Sequence, residues 1–331
     1  MKRNVHLRAL LLLAAVLIVL AAVLLLLQQA DDRQYHETRG EMTEGFGELK
    51  TVTVDGVTYR EKPAVTTLLV AGIDKDDAVL EGANATYTAG GRADFLMLLA
   101  IDHTGKQIHQ LQIDRDTMTV IRMLGVFGDY AGTRTLQIAL SHLYGATAKD
   151  RAENTVWAVE NLLGGLKLDG YYMIDYSGIP VLNDALGGVP VTITEDMTNV
   201  NPAWSEGAEV TLHGNEAEAF VRARMNVGSG TNAERMARQN RYMTSAVSAM
   251  NAKLRQDPAF GQTLLETMQK LAATNMTVSR LADELNQAYS YEVLPVDHPS
   301  GTFNTDTAHM EFYMDENAGE RWILDHLYTR E

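Results

Sequence analysis

The chain has 331 residues, of which 46% are hydrophobic, enough to bury the core of one large domain or two small ones. It contains no cysteine, which excludes disulfides, thiolate metal ligands and thiol nucleophiles. The formal charge is −15, which argues against general nucleic-acid binding, because that needs a basic footprint.

Lys2, Arg3 and Arg8 precede an uninterrupted apolar run from Ala9 to Leu27. Nineteen residues as a helix span about 30 Å, the thickness of a bilayer's hydrocarbon. Basic residues before the run and Asp31-Asp32 after it predict a cytoplasmic tail at 1–8, a transmembrane helix at 9–27 and everything else outside. A cleaved signal peptide is the alternative. The run is longer than a signal peptide's apolar core, and Leu27-Gln28-Gln29-Ala30-Asp31 is a poor cleavage site. Beyond residue 30 the chain carries 25 basic and 43 acidic residues, so any local basic cluster there is informative.

Residues 28–62 read as a polar stalk and a short hairpin, with Asp55-Gly56 between Thr51–Val54 and Val57–Tyr59. From residue 63 to 331 the pattern predicts one extracytoplasmic domain. Val65–Ile73, Phe95–Ile101 and Gln107–Ile113 are short apolar runs, each a buried strand. Helices follow around Leu136–Tyr144 and over Arg151–Leu163. Next come a strand at Tyr171–Asp175, a helix from Ser177 to Leu186 closed by Gly187-Gly188, and a strand at Val189–Ile193. Gly214–Val221, Thr231 to about Leu254 and most of Phe260–Tyr289 read as helical. Strands alternating with helices give an α/β or α+β class with one central mixed sheet, of which α/β is the reading taken.

No phosphate-loop, dinucleotide-binding, zinc-protease or nucleophile-elbow motif occurs. The histidines lack metal-ligand spacing, and His103, His109 and His142 read as packing or surface residues. Asp74 ends one apolar strand, and Arg92-Ala93-Asp94 precedes the next. Two carboxylates at strand ends suit Mg²⁺ or Mn²⁺, and equally suit solvated turns. Asp114-Arg115-Asp116 leaves the third strand, either as a surface ion cluster or as an arginine aimed into a site. The strongest signal lies between Phe220 and Arg241. Arg222, Arg224, Arg235, Arg238 and Arg241 there face a single acid, Glu234. A solvated face would mix signs, and the planar guanidinium binds phosphate oxygens in pairs. Thr231-Asn232-Ala233-Glu234 matches a capping box, which would start a helix with Arg235, Arg238, Gln239 and Tyr242 on one face. A helix N-terminus bearing arginines is an anion site by both dipole and side chain.

Several segments in this order resemble the LytR-CpsA-Psr family. They are Leu68–Asp74, Gly91–Asp94, Ile113–Thr117, Asp184–Val189, His213–Ala217 leading into Val221–Arg224, and Arg235–Gln239. The resemblance implies an α/β/α domain that holds a polyprenyl pyrophosphate-linked glycan, its lipid tail between sheet and helices. It implies Mg²⁺ or Mn²⁺ on Asp74 and Asp94, and pyrophosphate on Arg92, Arg115, Arg222, Arg224 and Arg235 with Gln239 as a polar contact. The implied reaction moves the glycan phosphate onto a peptidoglycan hydroxyl. Arg115, Asp116 and Asp94 would be catalytic, with Asp116 or Asp94 accepting the hydroxyl proton. A pyrophosphatase acting on the same lipid and a non-catalytic lipid-binding or regulatory protein are the alternatives. The chain departs from the family's pattern in having Asp114 where Pro is usual, Thr119 where Arg is usual, and Asn232 where Asp is usual. Arg122 is the candidate stand-in for the arginine missing at Thr119.

Overall fold

The computed structural model describes residues 50–74, 91–125, 127–224, 227–306 and 309–331. The apolar run at 9–27 and residues 75–90 lie outside them. Among the described residues no helix is long and apolar enough to cross a membrane.

The chain begins with a hairpin of β1 (Thr51–Val54) and β2 (Val57–Glu61). Its turn residues Asp55 and Gly56 both have positive φ, 50° and 76°, the conformation that matches the twist of paired strands. Then come β3 (Val65–Asp74), β4 (Arg92–Asp102), β5 (Gln107–Gln112), β6 (Met118–Leu124) and β7 (Tyr130–Gln137). A 3₁₀ turn at Ile138–Leu143 leads to α1 (Ala148–Leu162), β8 (Gly170–Asp175), α2 (Gly178–Leu186), β9 (Val189–Thr192) and β10 (Glu209–Leu212). After α3 (Asn215–Arg222) come α4 (Asn232–Gln256), α5 (Phe260–Met268), β11 (Ala272–Thr274) and α6 (Val278–Ala288). The chain ends with β12 (Glu292–Asp297), β13 (Gly301–Asn304), β14 (Glu311–Met314), α7 (Ala318–Leu327) and β15 (Tyr328–Arg330).

The central sheet has six strands in the order β11-β8-β3-β4-β5-β12. It is mixed: β3 pairs antiparallel with β4 and parallel with β8, while β12 runs parallel to β5. Alternation along β3 assigns its two faces. Leu69, Ala71 and Ile73 are buried in a core shared with Ala158 and Val159 of α1 and Trp322 of α7. Leu68, Val70 and Gly72 point the other way, toward α4, α5 and α6. Helices therefore cover both faces, an α/β/α layering.

Three regions differ from the sequence reading. Of the stretch expected to be helical around Leu136–Tyr144, Ile138–Leu143 forms the 3₁₀ turn, while Leu136 and Gln137 end β7, which pairs with β6 in a two-stranded ribbon that the sequence reading did not assign. Its half-buried, Thr- and Arg-rich strands carry no helical period. Phe260–Tyr289 is two helices separated by β11, which pairs with β8 as an edge strand of the central sheet. Beyond residue 290 the chain supplies β12 to that sheet and β15 to the N-terminal hairpin, where Tyr328 pairs with Glu61.

Candidate functional site

The sheet's topology gathers one end of four strands at one rim. Because β3 and β5 both run antiparallel to β4, the C-terminal ends of β3 and β5 meet the N-terminal end of β4. The C-terminal end of β8, parallel to β3, arrives at the same place. Asp74, Arg92, Asp94, Arg115, Asp116 and Tyr176 all sit at this rim. A bulge sharpens the placement: Gly72 pairs with Phe95 and Ile73 with Ala93, so Asp94 is the extra residue. Bulges of this kind re-aim a side chain beside a site. Gly72 lets the strand approach closely there, since a Cβ would stand 3.1 Å from the Tyr176 ring and 3.2 Å from the Phe95 Cβ.

Arginines converge on these carboxylates from two helix ends. Arg115 Nη1 donates to Asp94 Oδ2 at 2.6 Å, and Arg235 Nη1 donates to the same oxygen at 3.2 Å. Arg222, at the end of α3, donates to Asp74 Oδ1 at 2.9 Å and to Glu218 at 2.8 Å. Arg92 lies 3.5 Å from Asp74 and 3.9 Å from Asp94, and is half exposed. Arg224 donates its Nε to the carbonyl of Gly230. Burial works against the Arg115 charge, and Asp94 and Asp116 more than offset it, so its pKa is raised. Burial also raises the pKa of Asp116; Arg115 opposes that, and the nearby Asp114 adds to it.

Two cavities flank the cluster. The polar one, about 250 Å³, is lined by Arg92, Arg115, Asp116, Gln137 and Arg224, with His309 and Met310 of the β13–β14 connection. The other, about 340 Å³, is almost wholly apolar and lies between the sheet and α4, α5 and α6. Tyr176 and Gln239 line its wall. Tyr176 stands between the two regions: the Arg222 guanidinium lies 5.2 Å above its ring, and Asp94, Arg235 and Asp74 act on its hydroxyl. Burial pushes that phenol's pKa up.

Five buried polar atoms in this neighbourhood have no hydrogen-bond partner: Asp94 Oδ1, Tyr176 OH, Gln239 Oε1, and the Nε atoms of Arg115 and Arg235. Buried polar groups are paired in nearly all cases, so such a concentration is where a polar ligand would complete the bonding. Asp94 Oδ1, which accepts no hydrogen bond, and Asp74 both lie beside Arg92, and the two carboxylates fit a hard divalent cation. Among the described residues no three acidic or histidine side chains group as a closed metal site, so such a cation would draw on water and phosphate oxygens for its remaining ligands.

Every residue singled out from the sequence as a site residue lies at this rim or, for Gln239, on the apolar wall behind it. Gln239 also donates weakly to the Val221 carbonyl, at 3.4 Å. The remaining arginines of the cluster have other partners. Arg238 is buried, donating to the carbonyls of Phe220 and Ala223 and to Glu195 at 2.6 Å; Arg241 pairs with Glu195 at 2.8 Å. They join α4 to the C-terminal end of α3 and to the turn after β9. The capping box is half formed: Thr231 Oγ1 accepts from the Glu234 amide, but Glu234 accepts from the Ser229 amide instead of closing on Thr231. Arg122 does not stand in for an arginine at Thr119. It donates to Asn154 Oδ1 at 3.2 Å and lies 5.0 Å above the Trp157 ring, in contact with α1. His109 and His142 are packed inside, as expected; His142 meets the Gly91 carbonyl at 2.9 Å. Tyr176 and Gln137 went unnoticed in the sequence. The one cue to Tyr176 was its place immediately after a strand, as with Asp74.

Comparison with known proteins gives a consistent result. The teichoic acid transferase TagV of Bacillus subtilis is 28% identical over 146 residues, covering 42% of this chain and 34% of TagV. TagU of Halalkalibacterium halodurans is 30% identical over 158 residues (48% and 44%). The cell wall biosynthesis protein LcpA of Corynebacterium glutamicum is 28% identical over 247 residues (62% and 46%). The matched part thus spans less than half the length of each of these relatives. TagU and TagV are named as polyisoprenyl-teichoic acid–peptidoglycan teichoic acid transferases. Among solved structures, TagT bound to LI-WTA superposes with a TM-score of 0.59 at 18% identity, covering 80% of this chain and 90% of that one. Bacillus subtilis TagV superposes with 0.56 at 22% identity, covering 81% and 98%. These likenesses show a common mixed α/β fold. The LytR_cpsA_psr family model matches residues 24–305, most of the chain, and the chain belongs to that family.

Proposed function

We propose that this chain is a membrane-anchored phosphotransferase that moves a glycopolymer, of teichoic-acid or capsular type, from a polyprenyl pyrophosphate carrier onto peptidoglycan. The observation that carries the reading is the pairing of an apolar cavity with a cluster of arginines and orphaned polar atoms beside it. An amphipathic ligand with an anionic head and a hydrocarbon tail matches both halves. Each methylene buried in the cavity contributes about 0.8 kcal/mol. Arg92, Arg115, Arg222, Arg224 and Arg235 would take the pyrophosphate, with the Tyr176 hydroxyl donating beside them and Gln239 as a further polar contact. Residues 9–27 would anchor the chain, with 1–8 cytoplasmic, 28–62 as stalk and hairpin, and 63–331 outside.

In the proposed step a sugar hydroxyl of peptidoglycan enters the polar cavity. Its oxygen attacks the glycan-linked phosphorus, the bond from that phosphorus to the bridging oxygen breaks, and polyprenyl phosphate leaves with the electron pair. Asp116 lines that cavity and is held by three contacts. Its amide donates to Asp114 Oδ1 at 2.8 Å, its carbonyl accepts from the Phe312 amide, and its Oδ1 accepts from Gln137 at 2.9 Å. It would take the hydroxyl proton. The arginines would neutralise the charge on the phosphoryl oxygens, the larger part of catalysis where the protein supplies little covalent chemistry. Asp94 and Asp74 would hold Mg²⁺ or Mn²⁺, which supplies further charge neutralisation when bound.

The test is incubation of the full chain with a polyprenyl pyrophosphate-linked glycan and peptidoglycan fragments, with Mg²⁺ or with a chelator. Glycan phosphate on the fragments supports the reading. Free glycan phosphate without acceptor product points to a pyrophosphatase. Bound lipid with no turnover points to a binding or regulatory protein.

A further inference from the structure

Asp114 and Asn232 are buried behind the arginines, 8% and 2% exposed, and line neither cavity. Two of the three positions read from the sequence as departures from the family's pattern touch each other. The Asn232 amide nitrogen lies 3.0 Å and 3.1 Å from the two Asp114 oxygens. Its carbonyl oxygen accepts from Arg235 Nη2 at 2.7 Å. Asp114 Oδ1 also accepts from the Asp116 amide at 2.8 Å. Arg235 and Arg115 both donate to Asp94 Oδ2, and Arg115 Nε lies 3.5 Å from Asp116. Hydrogen bonds link Arg115, Asp94, Arg235, Asn232, Asp114 and Asp116 in turn, and the Arg115–Asp116 ion pair closes the ring.

Donors and acceptors alternate around it in only one way. Asn232 must donate toward Asp114 and accept from Arg235, and of the two, amide and carboxylate, only the amide does both. Asp114 must accept twice, as a carboxylate does. We propose that Asp114 and Asn232 are a positioning pair that locks the end of β5 to the first turn of α4, holding Asp116 and Arg235 in register for transfer. This rests on the transferase reading.

The order of donors and acceptors suggests an exchange. In Asn232→Asp two carboxylates face each other at about 3 Å, where both cannot ionise comfortably. In the exchange, Asp114→Asn together with Asn232→Asp, the side-chain amide now at position 114 accepts from the Asp116 backbone amide and donates to the carboxylate now at position 232. That carboxylate accepts from Arg235, so the ring closes with unchanged total charge. The experiment measures kcat and KM for the transfer, per folded molecule, in the wild type, Asn232→Asp, Asp114→Asn and the exchange, with unfolding curves on the same preparations. Misplacement of reacting groups costs rate steeply, so Asn232→Asp is expected to lose about tenfold or more in kcat, with KM moving less. Asp114→Asn falls between, and the exchange returns to within about threefold of wild type. A role in stability alone would lower the folded fraction and leave kcat per folded molecule unchanged, which overturns the proposal. So does an exchange variant that folds normally yet stays as slow as Asn232→Asp. A wild type that turns nothing over defeats the transferase reading itself, and with it the pair's role. An active wild type with insensitive variants defeats the pair alone.

Discussion

Arg235 and Arg238 lie one turn apart on the same face of α4, and both are buried, at 5% and 1% exposure. Arg235 points to the rim, shares Asp94 with Arg115 and keeps its Nε without a partner. Arg238 turns to the other side, fills the carbonyls that end α3 and closes on Glu195. Two arginines one turn apart thus do different jobs, one poised for a ligand and one holding helices together. What separates them is an acid that arrives from a distant part of the chain, Asp94 in one case and Glu195 in the other.

The comparison can be broken by substitution. Arg115→Ala removes one of the two donors to Asp94 Oδ2 and leaves Arg235 on it, so turnover is expected to fall about a thousandfold, the scale for losing a charge-stabilising donor, while the unfolding midpoint moves little. Wild-type-like turnover would remove Arg115 from the site. Arg238→Ala should behave oppositely. It takes the donor from the Phe220 and Ala223 carbonyls and leaves Glu195 with Arg241, so denaturant unfolding should show a loss of about 1–3 kcal/mol, with turnover per folded molecule preserved. If both variants lose turnover and neither loses stability, the division is wrong.

Asp116 sharpens the contrast through pH. Its pKa is raised, chiefly by burial, so its base form is lost at a higher pH than that of an ordinary aspartate. The rate should therefore climb with pH along a limb whose midpoint lies above about 4, the usual carboxylate value, and Asp116→Asn should flatten the limb with a loss of about a hundredfold or more. A limb that survives in Asp116→Asn would assign the proton to another group.

His142 offers a pH effect that belongs to stability alone. Burial lowers its pKa from 6.5 to about 4, against the pull of the Gly91 carbonyl. Between those values the unfolded chain binds a proton that the folded one does not. Stability should therefore drain away as pH falls from 6.5 toward 4, by about 3 kcal/mol from this residue. His142→Gln should show a shallower dependence in denaturant titrations over that range; an unchanged slope would put the acid sensitivity elsewhere. The smallest effect is expected at Tyr176. Removing a buried hydroxyl without a partner in Tyr176→Phe should stabilise the ligand-free chain by about 1 kcal/mol and weaken pyrophosphate binding several-fold. Both changes in the same direction would mean that the hydroxyl does not meet the ligand.

The strands that carry the site were legible because their apolar runs end abruptly in charge, at Asp74, Arg92 and Asp114–Asp116. The helix of Arg235 and Gln239 was legible through its cap and its spacing. The division of labour among the arginines was not, since Glu195 lies 43 positions before Arg238 and nothing local ties them. The ribbon of β6 and β7 and the strands after residue 290 were missed for a related reason. They are short, half-buried and amphipathic only in the context of partners far along the chain. The Asp114–Asn232 contact joins positions 118 apart, so two departures that look independent in sequence are one feature in space.

The most direct measurement is mass spectrometry of peptidoglycan fragments after incubation with the full chain, a polyprenyl pyrophosphate-linked glycan and Mg²⁺. The expected result is fragments heavier by the glycan phosphate, with polyprenyl phosphate released in equal amount and neither product formed by Arg115→Ala. Unmodified fragments, with the lipid-linked glycan left intact, would contradict the proposed transfer.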